Sequence, residues 1–359
     1  MNMIHTLKRL LPAATSTLAA LSLISCAATT PPPQQPAPII ARAPAPVQPA
    51  IPAPPPPVNI PKRAVNVRME ETLVRAAGNH AVLMSHITQI PILGISAPSE
   101  LNAMMDGAAQ VYSPSLGPSL IGYGALVGVQ NTSFVESVMD AARYQGLDTI
   151  VYKLYADPNF AATLPGAQHA SADIQNAWAS DIAQIGRSGS FVKQQSYELQ
   201  KSSDWKTLRA DDRTSRLQAL EQAKSIRYTP PRAARQSLAE IGTIRAYDTD
   251  ADMRRRQFWQ VYGRSAQPQT ETYTSQYASP MHRKALTLSA LEILGATGTD
   301  SSVWIDNYMV SPKLNRCITT ARLNAAQCVA AGHFKYEDAF CAAEHQLTEI
   351  SNCLTQNLL

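Results

Sequence analysis

Residues 312–359 read PKLNRCITTARLNAAQCVAAGHFKYEDAFCAAEHQLTEISNCLTQNLL, and their spacing decides the fold at this end of the chain. Cys317, Ala321, Asn324, Cys328 and Ala331 recur at three- and four-residue steps, the period of one helix face. Phe340, Ala343, Leu347, Ile350 and Leu354 repeat the pattern further on. Gly332 can end the first helix, and a second can begin near Tyr336, so the chain doubles back as an antiparallel hairpin. Four cysteines punctuate it: Cys317, Cys328, Cys341 and Cys353. Three pairings exist. Cys317 and Cys328 are 11 residues apart, about 16 Å along a helix, whereas a disulfide needs Cα atoms within about 7 Å. The same distance argument excludes Cys341 with Cys353. Crossed pairing misses by about 16 Å at each level. Nested pairing, Cys328–Cys341 inside Cys317–Cys353, centres both bridges on the turn. Cys341 and Cys353 flank the apolar stripe of their helix on opposite sides, so one bridge demands a local bend. The competing reading is a metal site that adds His333 and His345, but no CxxC knuckle is present.

Upstream of the hairpin the pattern is helical throughout, and the expected class is all-α. Met69–Ile90 carries Leu73, Ala76, Ala77, His80, Leu83, Met84 and Ile87 at helical steps. A second helix is expected over Ser99–Val111, with Ser99 as N-cap behind Pro98. Ser119–Gln130, SLIGYGALVGVQ, is apolar all round and spotted with glycine, which marks a buried, closely packed helix. Thr132–Tyr144 and Leu147–Tyr155 follow, the latter stopped by Asp157-Pro158. Ala170–Lys206 and Thr207–Arg227 have the periodicity of two long amphipathic helices forming an elongated antiparallel pair, the first open to a kink at Gly186 and Gly189. Tyr228–Pro280 is the least regular stretch, with one helix expected over Met253–Tyr262; helices resume at Ala285–Leu294.

The N-terminus has a different character. Lys8 and Arg9 precede a mostly apolar run, Leu10–Ile24, too short for a retained membrane span and laid out as a secretory signal. It ends in Leu23-Ile24-Ser25-Cys26, which resembles the lipobox of bacterial lipoproteins. That resemblance implies cleavage before Cys26, a diacylglyceryl thioether on its sulfur and acylation, palmitate included, of the new amino terminus. Stable anchoring generally takes two chains or more. Ala27 follows the cysteine, and the resemblance then implies the outer membrane, periplasmic face. Residues 31–61 hold 14 of the chain's 26 prolines. Neither helix nor sheet propagates through such a stretch, which is expected to be a disordered, polyproline-type tether extending to roughly 95 Å. The organisation expected is signal peptide 1–25, lipidated cysteine and linker 26–61, helical body 62–300 and C-terminal hairpin 301–359.

The function classes are bounded by the same residues. The chain of 359 residues carries a formal charge of +4; loss of Lys8 and Arg9 with the signal leaves 29 basic against 27 acidic residues, or +2. That balance and the envelope address argue against nucleic acid as a partner. An oxidising compartment is also what makes four clustered cysteines legible as two disulfides. No HExxH or GxSxG element is present. Ser190–Lys193 and Ser203–Lys206 match S-x-x-K without the companion elements. No cofactor or metal is implied. His333-Phe334-Lys335-Tyr336-Glu337-Asp338 is the densest polar-aromatic cluster, and helix-dipole placement of Glu337 and Asp338 accounts for it. Arg254, Arg255, Arg256, Trp259 and Tyr262 form a candidate basic-aromatic binding surface for an anionic glycan or lipid headgroup. Leu120–Val127, Asp157-Pro158 with Thr163–Gly166, and His333–Asp338 are similar to stretches of helical, proline-tethered lipoproteins of alphaproteobacteria, a resemblance that implies no activity. The expectation is a non-enzymatic scaffold or accessory binding protein, held on the membrane by lipid at Cys26 and bound to another envelope protein or cell-wall polymer. The alternative is an enzyme acting on peptidoglycan or another envelope polymer.

Overall fold

The glycine-spotted stretch forms a helix buried on every side. A computed structural model describes residues 71–225 and 279–359, all within the unit Pro52–Leu359. The signal segment, Cys26, the proline-rich tether, the helix expected over 253–262, and Arg254, Arg255, Arg256, Trp259 and Tyr262 lie outside the described residues. In chain order the helices are α1 (Glu71–Leu93), α2 (Pro98–Ala108), a 3-10 turn (Ala109–Tyr112), α3 (Leu116–Val129), α4 (Thr132–Gln145), α5 (Leu147–Ala156), α6 (Phe160–Thr163), α7 (Ala167–Lys201) and α8 (Arg213–Ala223). Then come α9 (Pro280–Ile293), a second 3-10 turn (Thr299–Ser301), α10 (Ser302–Tyr308), α11 (Pro312–Ala331), α12 (Lys335–Cys341), a π-helical segment (Ala342–Thr348) and α13 (Glu349–Leu358). The described residues are all-α; their one β-type contact is an isolated bridge between Arg209 and Phe334. No helix among them is long and apolar enough to cross a membrane.

Helix α3 is buried on every side and packs on α1, α7 and α9. Its glycines explain how. A β-carbon on Gly122 would stand 2.7 Å from Ala76 Cβ of α1, and one on Gly124 would stand 2.6 Å from the Trp178 ring of α7. Both are closer than carbon atoms approach. The indole N–H of Trp178 donates to Leu120 O at 3.0 Å, and Ser289 Oγ of α9 donates to Ala125 O at 2.9 Å. Polar side chains thus cross the tight contacts with their hydrogen bonds made.

Two expectations need correction. Ser99 is not the N-cap of α2. Pro98 is its first residue, which suits a position whose N–H would be unused, and Glu100 Oε2 reaches back to the N–H groups of Ser96 and Ala97 at 2.8 and 2.9 Å. The long pair over 170–227 is likewise absent. Helix α7 is a single rod of 35 residues; Gly186 and Gly189 leave it unbroken and instead admit Ser351 and Thr348 of the hairpin. Helix α8 has only 11 residues and packs on α11 and the first 3-10 turn. The link at 202–212 is irregular because it pairs with residues 333–335: Ala210 N donates to His333 O, and Lys335 N donates to Leu208 O, both at 3.0 Å.

The C-terminal hairpin has the nested bridges, Cys328–Cys341 with Cα atoms 5.7 Å apart and Cys317–Cys353 at 5.8 Å. The bend they demand is the π-helical segment between Cys341 and Cys353. At 100° per residue, the 11-residue step from Cys317 to Cys328 leaves the two within about 20° of one face. The 12-residue step from Cys341 to Cys353 would leave them about 120° apart. A π turn absorbs one residue, which restores the match. The core-facing stripe of α11 is Leu314, Ile318, Ala321, Ala325 and Val329, so the cysteine stripe faces the partner helix instead.

Replacing Cys328 and Cys341 together by Ser opens a loop closed over 13 positions. Denaturant unfolding should show a loss of about 3 kcal/mol. Peptide mapping without reductant should recover both nested pairs, and free thiols at these four positions would contradict the arrangement.

Candidate functional site

A cleft of 490 Å³ opens where α2, α8 and the C-terminal hairpin converge. Its floor is apolar, from Met105, Ala109, Leu220 and Val329. Into that floor the sequence delivers five charged groups: Asp106 from α2, Asp211 from the irregular link, Arg216 from α8, and Lys335 and Asp338 from α12. Asn102, Ser215, Gln222 and Gln346 add neutral polar groups, the last from the π-helical segment. π turns recur at functional sites because they re-aim side chains.

Most of the charge is internally matched. Lys335 is 4% exposed, and its ammonium donates to Asp211 Oδ2 at 2.5 Å and to Asn102 Oδ1 at 3.1 Å. Arg216 Nη1 donates to Asp338 Oδ1 at 2.6 Å, and Nη2 donates to Gly332 O at 3.0 Å. Asp338 is 1% exposed; burial pushes its carboxyl above the usual carboxylate range, against the opposing pull of Arg216. Nearby, Arg209 lies 4.6 Å over the Phe334 ring, which stacks on Tyr336, and Glu337 Oε2 accepts from Phe334 N at 2.9 Å. The polar-aromatic run His333–Asp338 is therefore split between capping the helix and building one wall of the cleft.

Two other polar groupings have the residue types of a catalytic set. Ser133, His169 and Asp173 border a shallower depression beside the start of α4. Ser133 Oγ lies 3.4 Å from His169 Nδ1, but it donates to Asn131 Oδ1 at 2.9 Å, and Asp173 accepts from Asn131 Nδ2 at 2.8 Å. The serine proton and the carboxylate both serve the helix cap. Ser171 Oγ lies 2.9 Å from His282 Nε2, but His282 is 1% exposed and edge-on to Trp178. Burial lowers its pKa to about 4. Deeper still, His80 Nε2 and Asp181 Oδ2 are 2.7 Å apart, both 1% exposed, with His80 stacked on Tyr123. This contact ties α1 to α7 across α3.

In neither S-x-x-K match does the serine hydroxyl bond its lysine; in the second, Ser203 Oγ donates to Asp204 Oδ1 at 3.0 Å. Lys193 pairs with Glu344 at 2.8 Å while Ser190 bonds Gly186 O. With all four hairpin cysteines in disulfides, none can serve as a thiolate ligand beside His333 and His345. No group of three or more His, Cys, Asp or Glu among the described residues is placed to hold a metal ion. The residues of the cleft that sequence reasoning missed, Asp211, Arg216 and Gln346, meet Lys335 and Asp338 only through the fold. Comparison with family models, with curated proteins and with solved structures finds no match to this chain.

Arg216→Met should strand the buried Asp338 carboxylate and cost about 3 kcal/mol at neutral pH. The carboxyl pKa then rises further above its unfolded value, so the deficit exists above the unfolded pKa and should fade as pH drops toward about 4. Adding Asp338→Asn should restore much of it at neutral pH; urea unfolding at both pH values checks this. His282 gives the opposite window. Its folded pKa of about 4 lies below the usual 6.5. The unfolded chain takes the proton first, so stability should fall as pH drops from 6.5 toward 4, by about 2 kcal/mol at pH 5. His282→Gln should flatten that slope.

Proposed function

We propose that this chain is a lipid-anchored envelope protein, acylated at Cys26, whose helical body is a non-enzymatic binding or scaffold module facing the periplasm. The observation that carries the reading is the state of the cleft. Its two cations are already paired, Lys335 with Asp211 and Arg216 with Asp338, over an apolar floor. A catalytic base or nucleophile has to shed its proton and reach the substrate, whereas these two cations are committed to carboxylates of the fold. Paired groups over apolar surface instead suit recognition. The two nested disulfides support an oxidising compartment, in keeping with the secretory signal and lipobox. Ala27 supports the outer membrane as the destination.

The alternative, an enzyme on peptidoglycan or another envelope polymer, would draw on Ser133, His169 and Asp173. Their hydrogen bonds run to Asn131, which favours the binding reading. The anchor is tested by fractionation. Cys26→Ser should move the protein from the membrane fraction to the soluble periplasmic fraction and abolish incorporation of labelled palmitate. A membrane-bound, palmitate-labelled Cys26→Ser product would overturn the proposal.

A further inference from the structure

We propose that a second cavity, between the C-terminal ends of α7 and α11 and one face of α12, binds a neutral sugar of one or two pyranose rings. This rests on the reading of the body as a binding module and names the class of ligand the module takes. The cavity of 410 Å³ falls within the range of small-ligand pockets, roughly 300–1,000 Å³. Tyr336 and Phe340, four residues apart, share one face of α12; Tyr197 and Gln200, three apart, form the facing wall on α7. Tyr197 is 46% exposed, and its ring meets that of Phe340 at 6.1 Å and 51°, an open corner rather than a closed stack. Tyr336 stacks on Phe334 at 5.5 Å, nearly parallel. The Cys328–Cys341 bridge also lines the space and pins α12 to α11, so the walls are fixed before a ligand arrives.

The chemistry of the lining selects among ligands. Aromatic faces offer large, rigid contact area for an apolar surface. Around them the Gln200 amide and the two tyrosine hydroxyls donate and accept hydrogen bonds, whereas Glu337 accepts only. Glu337 spends Oε2 on the N–H groups of His333 and Phe334. A carboxylate has about four lone-pair sites, so acceptor capacity remains. The ligand therefore needs donors as well as an apolar face. A pyranose has both, C–H groups on its faces and hydroxyls at its rim, and a ligand that only accepts does not. Glu337 is the one charged residue lining the cavity among the described residues, which disfavours an anion. A cation is disfavoured by the rings themselves. Lys193 already stands 5.3 Å over the Phe340 ring, and Arg209 stands 4.6 Å over Phe334, the ring stacked on Tyr336. The aromatic charge that would attract an ammonium is engaged by these two side chains.

The test is isothermal titration of the full chain, held in a polyoxyethylene detergent that brings no sugar, with cellobiose and with N,N′-diacetylchitobiose. Sorbitol serves as the control with hydroxyls but no ring, and choline as the control with a quaternary ammonium. Saturable binding of at least one disaccharide in the millimolar range is expected, with both controls weaker. Tyr197→Ala should weaken that binding about tenfold, the contribution of one aromatic contact. Gln200→Ala should weaken it about fivefold, the contribution of one hydrogen bond. Both side chains are exposed, so the unfolding midpoint should stay in place in each variant. Absence of saturable binding of either disaccharide would overturn the site, as would binding unchanged in both variants or a control that binds as tightly as the sugars. The disaccharides are recovered and analysed by chromatography. Hydrolysis would uphold the site and overturn the non-enzymatic function, whereas absence of binding would leave the fractionation of Cys26→Ser unaffected, so the two proposals fail separately.

Discussion

Helix α3 approaches three neighbours along its glycines, with clearances that leave no room for a side chain at Gly122 or Gly124. Close approach of this kind multiplies dispersion contacts and leaves few ways for the helices to slide. It also dictates which polar groups meet. With α1 and α7 both drawn against α3, His80 and Asp181 come within 2.7 Å, and Trp178 reaches the carbonyl of Leu120. These bonds satisfy polar atoms that the packing itself removed from water. Helix α7 becomes a fixed rod, and its far half is the platform on which the hairpin sits through Gly186 and Gly189.

The hairpin then meets a second constraint, that of phase. Two rigid bridges at different levels require both cysteines of each helix to face the partner. Helix α11 meets this with an 11-residue step, and the returning helix, with 12, meets it through the π segment. The consequence reaches beyond the disulfides. Gln346 lies inside that segment, so the residue shift that brings Cys353 into line also sets where Gln346 falls relative to the cleft. One local irregularity serves both the staple and the candidate site.

How much of this was legible depended on distance along the chain. The all-α class, the burial of α3 and the nested cysteines follow from periodicity and from the geometry of one hairpin, which are local. Even the need for a bend followed from the two cysteines falling on opposite sides of the Phe340–Leu354 stripe, although its π form did not. The α7–α8 pair failed because helical periodicity in 202–212 was overridden by backbone pairing with 333–335, a contact more than a hundred positions away. The cleft was hidden for the same reason. Lys335 and Asp338 were visible as part of a dense polar run, but a dipole argument accounted for the acidic pair without a partner. Nothing in the local sequence of Arg216 distinguishes it from its solvated neighbours on α8.

The ion pairs of the cleft are not explained by stability alone. A buried pair recovers its desolvation cost only with good geometry, and apolar residues of similar volume often do as well or better. Asp338 shows that cost directly, since burial outweighs the pull of Arg216 on its carboxyl. What an apolar replacement could not reproduce is direction. Arg216 holds Asp338 through Nη1 and Gly332 O through Nη2, two restraints in one guanidinium plane. Lys335, fixed by Asp211 and Asn102, ties the irregular link and α2 to the same helix. The pairs therefore act as braces between four chain segments. They line the space whose apolar residues are Met105, Ala109, Leu220 and Val329.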